Sequence, residues 1–231
     1  MKIVLLLLLL LVLYIIYVIK SNNISVDFKS FFKKGFKKLD NQFGLFCYTG
    51  KQGKGKTYSC VNFCIKQKIA NDYIIITNVH SFRYFKDTIF VDNILDIIKM
   101  AEQMTKQGKK IMIFYDEIFT VLEKKTPMKK EILAFLSQLR KRKILFVTTA
   151  QEWSEINITF RRYVRYQVDC NMFPFPMTKT AFIFNSINDG DLIRWDNDLQ
   201  DFIAPRISAN FAKCSLNVIN SYDTFETIKT S

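Results

Sequence analysis

The feature that most constrains this sequence is a glycine-rich stretch at residues 50–57. Its residues are Gly50, Lys51, Gln52, Gly53, Lys54, Gly55, Lys56 and Thr57. They match the pattern G-x-x-x-x-G-K-[ST] at every fixed position. Residues 43–48 form an apolar run typical of a buried strand, and residues 57–69 carry apolar side chains at helical spacing. Because a Walker A loop joins a strand to a helix in this order, the stretch predicts one. A glycine-rich turn with a surface lysine is the alternative.

The residue types in this stretch suit the binding of a nucleotide. Glycines allow backbone N–H groups to turn toward phosphate oxygens, and the helix that follows directs the positive end of its dipole at them. We expect Lys56 to reach the β- and γ-phosphates of ATP and Thr57 to hold Mg²⁺. The predicted ligands of residues 50–57 are therefore ATP and Mg²⁺.

Length, charge and cysteine content narrow the class of protein. The chain has 231 residues and a formal net charge of +13, which suits a partner that bears phosphates. Charge alone does not choose between nucleic acid and an anionic membrane. The five cysteines include no C-x-x-C pair, and the sequence has a single histidine, so familiar zinc-site spacings are excluded. Reduced, mostly buried thiols in a cytosolic domain are the simplest interpretation.

The beginning of the chain predicts a transmembrane anchor at residues 1–20. Residues 3–19 carry no charge and lie between Lys2 and Lys20. As a helix they would be about 25 Å long, which just spans a bilayer. Tyr14 and Tyr17 suit the membrane interface. A cleaved signal peptide is the competing interpretation, but no small-x-small cleavage site follows the run.

Residues 21–40 alternate phenylalanines with lysines, which predicts a basic, aromatic linker beside the membrane. Such a segment can lie on an anionic leaflet, and lysine clusters close to a span remain cytoplasmic. A solvated linker is the alternative.

The remainder alternates predicted strands and helices. Strands are expected at residues 73–77, 110–115 and 144–149, with a helix at residues 94–104 that ends at Gly108. Such alternation implies a mostly parallel sheet with covered faces. We therefore predict an α/β fold: a P-loop NTPase domain at residues 41–205 with a mostly parallel sheet covered by helices, preceded by one N-terminal transmembrane helix.

The strand at residues 110–115 leads directly into Asp116 and Glu117, which is the Walker B pattern. Asp116 would contact Mg²⁺, and Glu117 would orient or deprotonate the attacking water. An exposed acidic turn is the alternative interpretation.

A further polar residue follows the strand at residues 144–149. Pro127 is expected to open a helix that precedes a basic cluster at residues 140–143, and the strand after that cluster ends in Ala150 and Gln151. A polar side chain at that strand end can contact the γ-phosphate or the attacking water, so Gln151 is a candidate sensor. A surface glutamine is the alternative.

This series of motifs resembles the FtsK/HerA group of DNA-pumping ATPases. Within that group it is most similar to the zonula occludens toxin-like assembly ATPases of filamentous phages. The likeness covers residues 43–170 and is carried best by residues 111–151. It implies P-loop ATP hydrolysis, phage DNA and phage coat or assembly proteins as partners, and a ring or dimer of identical subunits.

The same resemblance implies an arginine that acts on the nucleotide of a neighbouring subunit. Arg140 lies where that residue would be expected, and its rivals are Arg142, Arg161 and Arg162. Any of these could instead be an exposed charge that faces DNA.

The C-terminal part gives weaker signals. We expect a strand at residues 164–170 that is broken at residues 171–176, and an antiparallel pairing of residues 180–186 with residues 192–195. The aspartates between residues 189 and 201 do not follow the EF-hand spacing, so they indicate turns and not a calcium site. Residues 206–231 are predicted to be a polar, loose tail.

Together these features predict a membrane-anchored ATPase that drives DNA translocation or extrusion in phage assembly. It would be a single-pass protein of the host cell membrane with a cytoplasmic ATPase domain. A nucleoside kinase-like phosphotransferase is one alternative, although such kinases rarely carry a membrane span. A nucleotide-stabilised membrane scaffold is another, although a binding-only site has no use for Glu117.

Overall fold

The computed structural model describes residues 2–22, 24–26, 43–122, 127–174, 181–192, 194–197 and 201–223. Most of the linker predicted at residues 21–40 lies outside these residues. The first helix, α1 (Lys2–Ser21), contains one segment, Val4–Ser21, that is long and apolar enough to cross a membrane, with a mean hydropathy of 2.7 and no buried residue. A signal sequence would meet the same criteria of length and composition.

The strands of the described chain form one large sheet and one small one. Their bounds are β1 Ile24–Val26, β2 Gly44–Thr49, β3 Ile74–Thr77, β4 Ile89–Phe90, β5 Ile111–Tyr115, β6 Leu145–Ala150, β7 Val164–Pro174, β8 Ala181–Asp189, β9 Arg194–Asp196, β10 Asp201–Ile203 and β11 Arg206–Lys213. Nine described strands form the large sheet in the order β1-β11-β8-β7-β2-β6-β5-β3-β4. The strands from β7 to β4 in that order are parallel, whereas β8 is antiparallel to both β7 and β11.

Helices cover both faces of the large sheet. They are α2 Lys56–Asn71, α3 Ile94–Lys106, α4 Lys130–Gln138, α5 Ile158–Arg161 and α6 Leu216–Ile219. Successive residues of a strand point to opposite faces, so Leu45 and Cys47 join a core beneath α3 and α4, whereas Phe46 and Tyr48 join a core beneath α2 and α6. The predicted mostly parallel sheet covered by helices is confirmed.

The parallel strands give the sheet two chemically different sides. We call the side where they end the carboxyl edge and the side where they begin the amino edge. Residues 50–57, residues 116–117 and Gln151 follow β2, β5 and β6, so they share the carboxyl edge. Arg140 and Arg162 precede β6 and β7, so both lie at the amino edge.

The C-terminal part differs from the sequence prediction. Strand β7 continues through residues 171–174, because each of these positions pairs with β8 and Pro174 occupies the last position, where a missing N–H is tolerated. The partners of β8 are β7 and β11, and residues 194–196 pair instead with β10. The first part of the expected polar tail is regular structure, because β11 pairs with β8 over most of its length and α6 follows it, whereas residues 224–231 of that tail lie outside the described residues.

One helix boundary differs as well. Helix α4 begins at Lys130, whereas Pro127 was expected to open it. Its predicted apolar face is nevertheless buried, with Ile132, Phe135, Leu136 and Leu139 almost fully excluded from solvent.

Candidate active site

The glycine-rich loop connects β2 to α2 at the carboxyl edge. The N–H of Gly50 donates to the carbonyl oxygen of Gln151 (3.2 Å), and the N–H of Lys54 donates to that of Lys51 (3.1 Å). Gly55 precedes α2 with φ +79°, and a Cβ there would lie 2.7 Å from Cε of Met172. The left-handed backbone therefore favours glycine at this position, and any side chain there would also displace Met172 of β7.

Lys56 is the first residue of α2, and its side chain curls back over the loop. Its Nζ donates to the carbonyl oxygen of Lys51 (3.4 Å). Partial burial lowers the pKa of Lys56, and the nearby carboxylates of Asp116 and Glu117 oppose that change. A partly desolvated ammonium group at the start of a helix is suited to bind phosphate oxygens.

Thr57 and Asp116 bring oxygen atoms together from the two motifs. The Oγ1 of Thr57 donates to Oδ2 of Asp116 (3.3 Å), although the two residues are 59 positions apart. Burial raises the pKa of Asp116 to about 6, and its hydrogen bonds from Thr149 and Thr57 and the charge of Lys56 act in the opposite direction. A hydroxyl and a carboxylate are oxygen donors of the kind that Mg²⁺ prefers, so this pair fits the predicted metal.

Two residues that were given no role from the sequence hold Asp116 in place. The backbone N–H of Asp116 donates to Oδ1 of Asn78 (2.8 Å), and Nδ2 of Asn78 donates to the carbonyl oxygen of Asp116 (3.1 Å). The Oγ1 of Thr149 donates to Oδ1 of Asp116 and accepts the N–H of Glu117 (2.9 Å). Asn78 directly follows β3 and Thr149 lies near the end of β6, so their positions after or within apolar runs are the sequence signal that could have identified them.

Glu117 and Gln151 lie on either side of this polar cluster. Glu117 has φ +56° and ψ +52°, a conformation that residues other than glycine rarely adopt. Its half-buried side chain lies next to Asp116, beyond the end of β5. Gln151 is exposed, and its backbone bonds to Gly50 at the first position of the glycine loop. The structure thus brings the Walker A, Walker B and Gln151 positions together at one edge.

The arginines are not part of this group. Arg140 Nη2 pairs with Oδ1 and Oδ2 of Asp191 (2.5 and 2.6 Å), and its Cγ lies 3.9 Å from the position of a Cβ on Gly44, the first residue of β2. A six-residue strand is about 20 Å long, so Arg140 is distant from the loop of its own subunit.

Arg142 and Arg162, two of the three rivals of Arg140, are also at the amino edge, whereas the side chain of Arg161 reaches Trp153, which follows β6. Arg142 pairs with Glu102 (2.6 Å), and Arg161 is buried with its guanidinium over the ring of Trp153. Arg162 is exposed and forms no ion pair with any residue that the structure describes.

The profile of the zonular occludens toxin (Zot) family matches residues 44–181, more than half of the chain. The chain belongs to the Zot family. The matched segment begins with β2 and includes the glycine loop, Asp116, Glu117 and Gln151. The resemblance predicted from the sequence motifs is confirmed, and the chain is a P-loop ATPase. No curated protein matches it in sequence.

Solved structures similar to this Zot-family chain include two forms of the genome packaging NTPase B204 from Sulfolobus turreted icosahedral virus 2. The complex with ATP-gammaS has a TM-score of 0.53 at 11% identity, covering 73% of this chain and 100% of that one. The complex with sulfate has a TM-score of 0.51 at 12% identity, covering 74% and 100%. These likenesses show the shared fold.

The N-terminal domain of zonular occludens toxin from Neisseria meningitidis is similar too, with a TM-score of 0.49 at 13% identity, covering 78% of this chain and 98% of that one. The roles of individual site residues stay predictions.

Proposed function

We propose that this Zot-family chain is a membrane-anchored ATPase that hydrolyses ATP to drive DNA translocation or extrusion during phage assembly. The observation that supports it most is the meeting of Lys56, Thr57, Asp116 and Glu117 at the carboxyl edge, although they come from two motifs far apart in sequence. A site that only binds nucleotide needs the first three, whereas the water-directed carboxylate of Glu117 has a use only in hydrolysis.

Each residue has a distinct task in the proposed reaction. Lys56 and the backbone N–H groups of the loop bind the β- and γ-phosphates, and Thr57 and Asp116 would hold Mg²⁺. When bound, Mg²⁺ neutralises part of the phosphate charge. Glu117 orients the attacking water and accepts its proton, while Gln151 contacts that water or the γ-phosphate. Thr149 and Asn78 are positioning residues, because they fix the backbone and carboxylate of Asp116.

Three further observations support the choice of DNA as the polymer and of the membrane as the location. The structures of similar fold include a protein described as a genome packaging NTPase. The net charge of +13 suits a polyanion. Helix α1 has the length and composition of a membrane span, and we propose that it anchors the ATPase domain on the cytoplasmic side of the host cell membrane. Phage coat or assembly proteins would be the other partners.

The experiment that tests this function is ATP hydrolysis by the full chain, reconstituted in vesicles, with single-stranded DNA, with duplex DNA and without DNA. We expect hydrolysis that DNA stimulates and that Glu117→Gln abolishes. Transfer of phosphate to a nucleoside would identify a phosphotransferase instead. ATP binding with no hydrolysis under any of these conditions would identify a scaffold, and either result would overturn the proposal.

A further inference from the structure

The exit of helix α1 lies at the amino edge of the sheet. Asn22 follows α1 directly, and its Nδ2 donates to the carbonyl oxygen of Val18 (3.0 Å). The carbonyl oxygen of Asn22 accepts from Nη2 of Arg206, the first residue of β11 (3.4 Å). Strand β1 begins at Ile24, and three residues span at most about 11 Å. The helix therefore ends beside the first residues of β1 and β11.

The direction of the strands then fixes which side of the domain is near that exit. Strand β1 is parallel to β11, and because β8 is antiparallel to both β11 and β7, β11 runs in the same direction as β7. The first residues of β1, β11, β7, β2, β6 and β5 thus lie on one side. The nucleotide site is on the other side, at the carboxyl edge.

Exposed basic side chains are present along this amino edge. Lys109 precedes β5, Lys141 and Lys143 precede β6, and Arg162 precedes β7, all exposed to solvent. Arg140 and Arg142 are instead paired with Asp191 and Glu102. With strands about 4.8 Å apart, these positive charges lie within about 29 Å of the helix exit, measured across the sheet.

Exposed apolar side chains accompany the charges. The connection from β8 to β11 leaves and returns at the amino edge, where the N–H of Asp189 donates to the carbonyl oxygen of Pro205 (2.9 Å). Leu192 is 59% exposed, Trp195 51% and Ile207 37%. The start of this connection packs closely on the sheet, because a Cβ on Gly190 would lie 1.8 Å from the carbonyl oxygen of Val164 at the start of β7.

We infer that the amino edge rests on the anionic membrane leaflet, with Leu192 and Trp195 in the headgroup region and Lys141 and Lys143 on lipid phosphates. A nucleic-acid backbone has no apolar surface on which exposed aliphatic side chains could pack. Tryptophan and leucine beside basic residues are instead typical of a membrane interface. The sequence of the connection also contains aspartates, which an anionic surface repels, so the attraction comes from the lysines. The inference rests on the proposed anchor and deepens it, because it specifies which face of the ATPase meets the membrane.

Tryptophan fluorescence in the full chain can test the contact, because the sequence contains only Trp153 and Trp195. Trp153 follows β6, packs against the core and under the guanidinium of Arg161, and serves as the partly buried comparison. The Trp153→Phe variant reports on Trp195 alone, and Trp195→Phe reports on Trp153 alone. In phosphatidylglycerol vesicles that contain brominated lipid, we expect loss of Trp195 emission and unchanged Trp153 emission. Equal Trp195 emission in brominated and plain vesicles would overturn the inference.

Charge reversal tests the lysines with a second matched pair. Lys141→Glu with Lys143→Glu should reduce the quenching of Trp195 at low salt. Lys129→Glu with Lys130→Glu, at the start of α4, should leave it unchanged. If reversal at residues 141 and 143 weakens DNA binding and leaves the quenching unchanged, the surface binds DNA and the inference is wrong.

Failure of the inference is distinguishable from failure of the proposed function. Flotation of the protein with vesicles reports on the anchor, and DNA-stimulated ATP hydrolysis reports on the enzyme. Flotation and hydrolysis without quenching of Trp195 would reject only the contact at the amino edge.

Discussion

The buried position of Asp116 disfavours its negative charge. Burial favours the protonated form, so the folded protein raises the pKa of Asp116 to about 6. This group contributes most stability below pH about 4, and the contribution is lost as pH rises through about 6. The difference between this pKa and the ordinary value of about 3.9 lowers the free energy of unfolding by about 3 kcal/mol at neutral pH.

We therefore predict that Asp116→Asn raises the free energy of unfolding of the nucleotide-free protein by about 2–3 kcal/mol at pH 7.5. The amide oxygen can replace the carboxylate oxygen that accepts from Thr149, and the amide NH2 can donate to the hydroxyl of Thr57. Denaturant titrations between pH 4.5 and 7.5 should show the gain shrinking as pH falls. A gain of equal size at every pH would assign it to packing and not to the buried charge. The same variant should lose the stabilisation that Mg²⁺ and ATP confer on the parent.

Lys56 and Glu117 should separate binding from turnover. Lys56→Ala removes the cation that faces the β- and γ-phosphates, and a charged hydrogen bond of about 1.5–3 kcal/mol corresponds to about ten- to a hundredfold weaker ATP binding. Glu117→Gln should keep the affinity and lower kcat by about two to four powers of ten. Equilibrium binding and steady-state hydrolysis on both variants check this. Equal loss of binding in the two would mean that Glu117 does not act on water.

At the scale of elements, Gly55 and Gly108 form a natural pair of controls. Both have left-handed φ angles, +79° and +78°, but only Gly55 is packed against another strand, at Met172 of β7. Gly108→Ala should cost about 1–2 kcal/mol of stability through backbone strain alone and leave ATP binding unchanged. Gly55→Ala should cost more, because Met172 must shift as well, and should weaken ATP binding, because the strained residue lies within the loop that holds the phosphates.

Chemical denaturation and ATP binding distinguish the two glycine variants. If Gly55→Ala binds ATP as tightly as Gly108→Ala does, the contact between the loop and β7 is not required for the phosphate cradle.

The buried strands could be predicted from the sequence because each is a short apolar run followed by a polar site residue. The strands β2, β3, β5 and β6 were all anticipated to within one or two residues. The sequence analysis gave β8 the wrong partner and expected no strand at β11, because polar residues alternate through both and their position depends on neighbours far apart in the sequence. A local pattern contains no information about such long-range pairing.

The candidate site also contains residues that could be predicted from the sequence and residues that could not. Lys56, Thr57, Asp116 and Glu117 belong to motifs with fixed spacing, so their neighbourhood followed from the fold. Thr149 and Asn78 act through two hydrogen bonds each, and these bonds depend on the register between β3, β5 and β6, which no spacing rule gives. The ion pair of Arg140 with Asp191 was equally hidden, since the partners are 51 residues apart.

At the scale of the whole molecule, none of the candidate arginines lies beside the glycine loop of its own subunit, so an arginine of this set can act on the nucleotide only from a second subunit. We propose a ring or dimer in which a neighbour supplies Arg140, after its pair with Asp191 opens, or Arg162, which is exposed. Arg140→Ala subunits mixed with Lys56→Ala subunits should recover hydrolysis, because an arginine supplied in trans is worth about three to five powers of ten in rate.

The comparison is a mixture of Arg162→Ala subunits with Lys56→Ala subunits. Recovery in one mixture identifies the residue that acts in trans. No recovery in either, with assembly and subunit exchange intact, would contradict an arginine in trans.

The proposed topology also makes a prediction for intact cells. Basic residues beside a membrane span remain on the cytoplasmic side, so protease added outside should leave the ATPase domain uncut until the cells are lysed. Immunoblotting before and after lysis measures the digestion. Digestion before lysis would show that the domain is outside the cell and without access to ATP.

The short connection between α1 and β1 has a mechanical consequence. A motor that pulls on a polymer transmits the opposing force to its anchor. In this chain the first strand pairing between the anchor α1 and the ATPase domain is that of Ile24, Ser25 and Val26 with β11. A pull on α1 acts along β1, so the interstrand hydrogen bonds and the bond from Ser25 to Ala209 (3.0 Å) are loaded together in shear and do not open one by one. Three residues give this joint a low rupture force, so under strong load it would slip before the core of the sheet deforms.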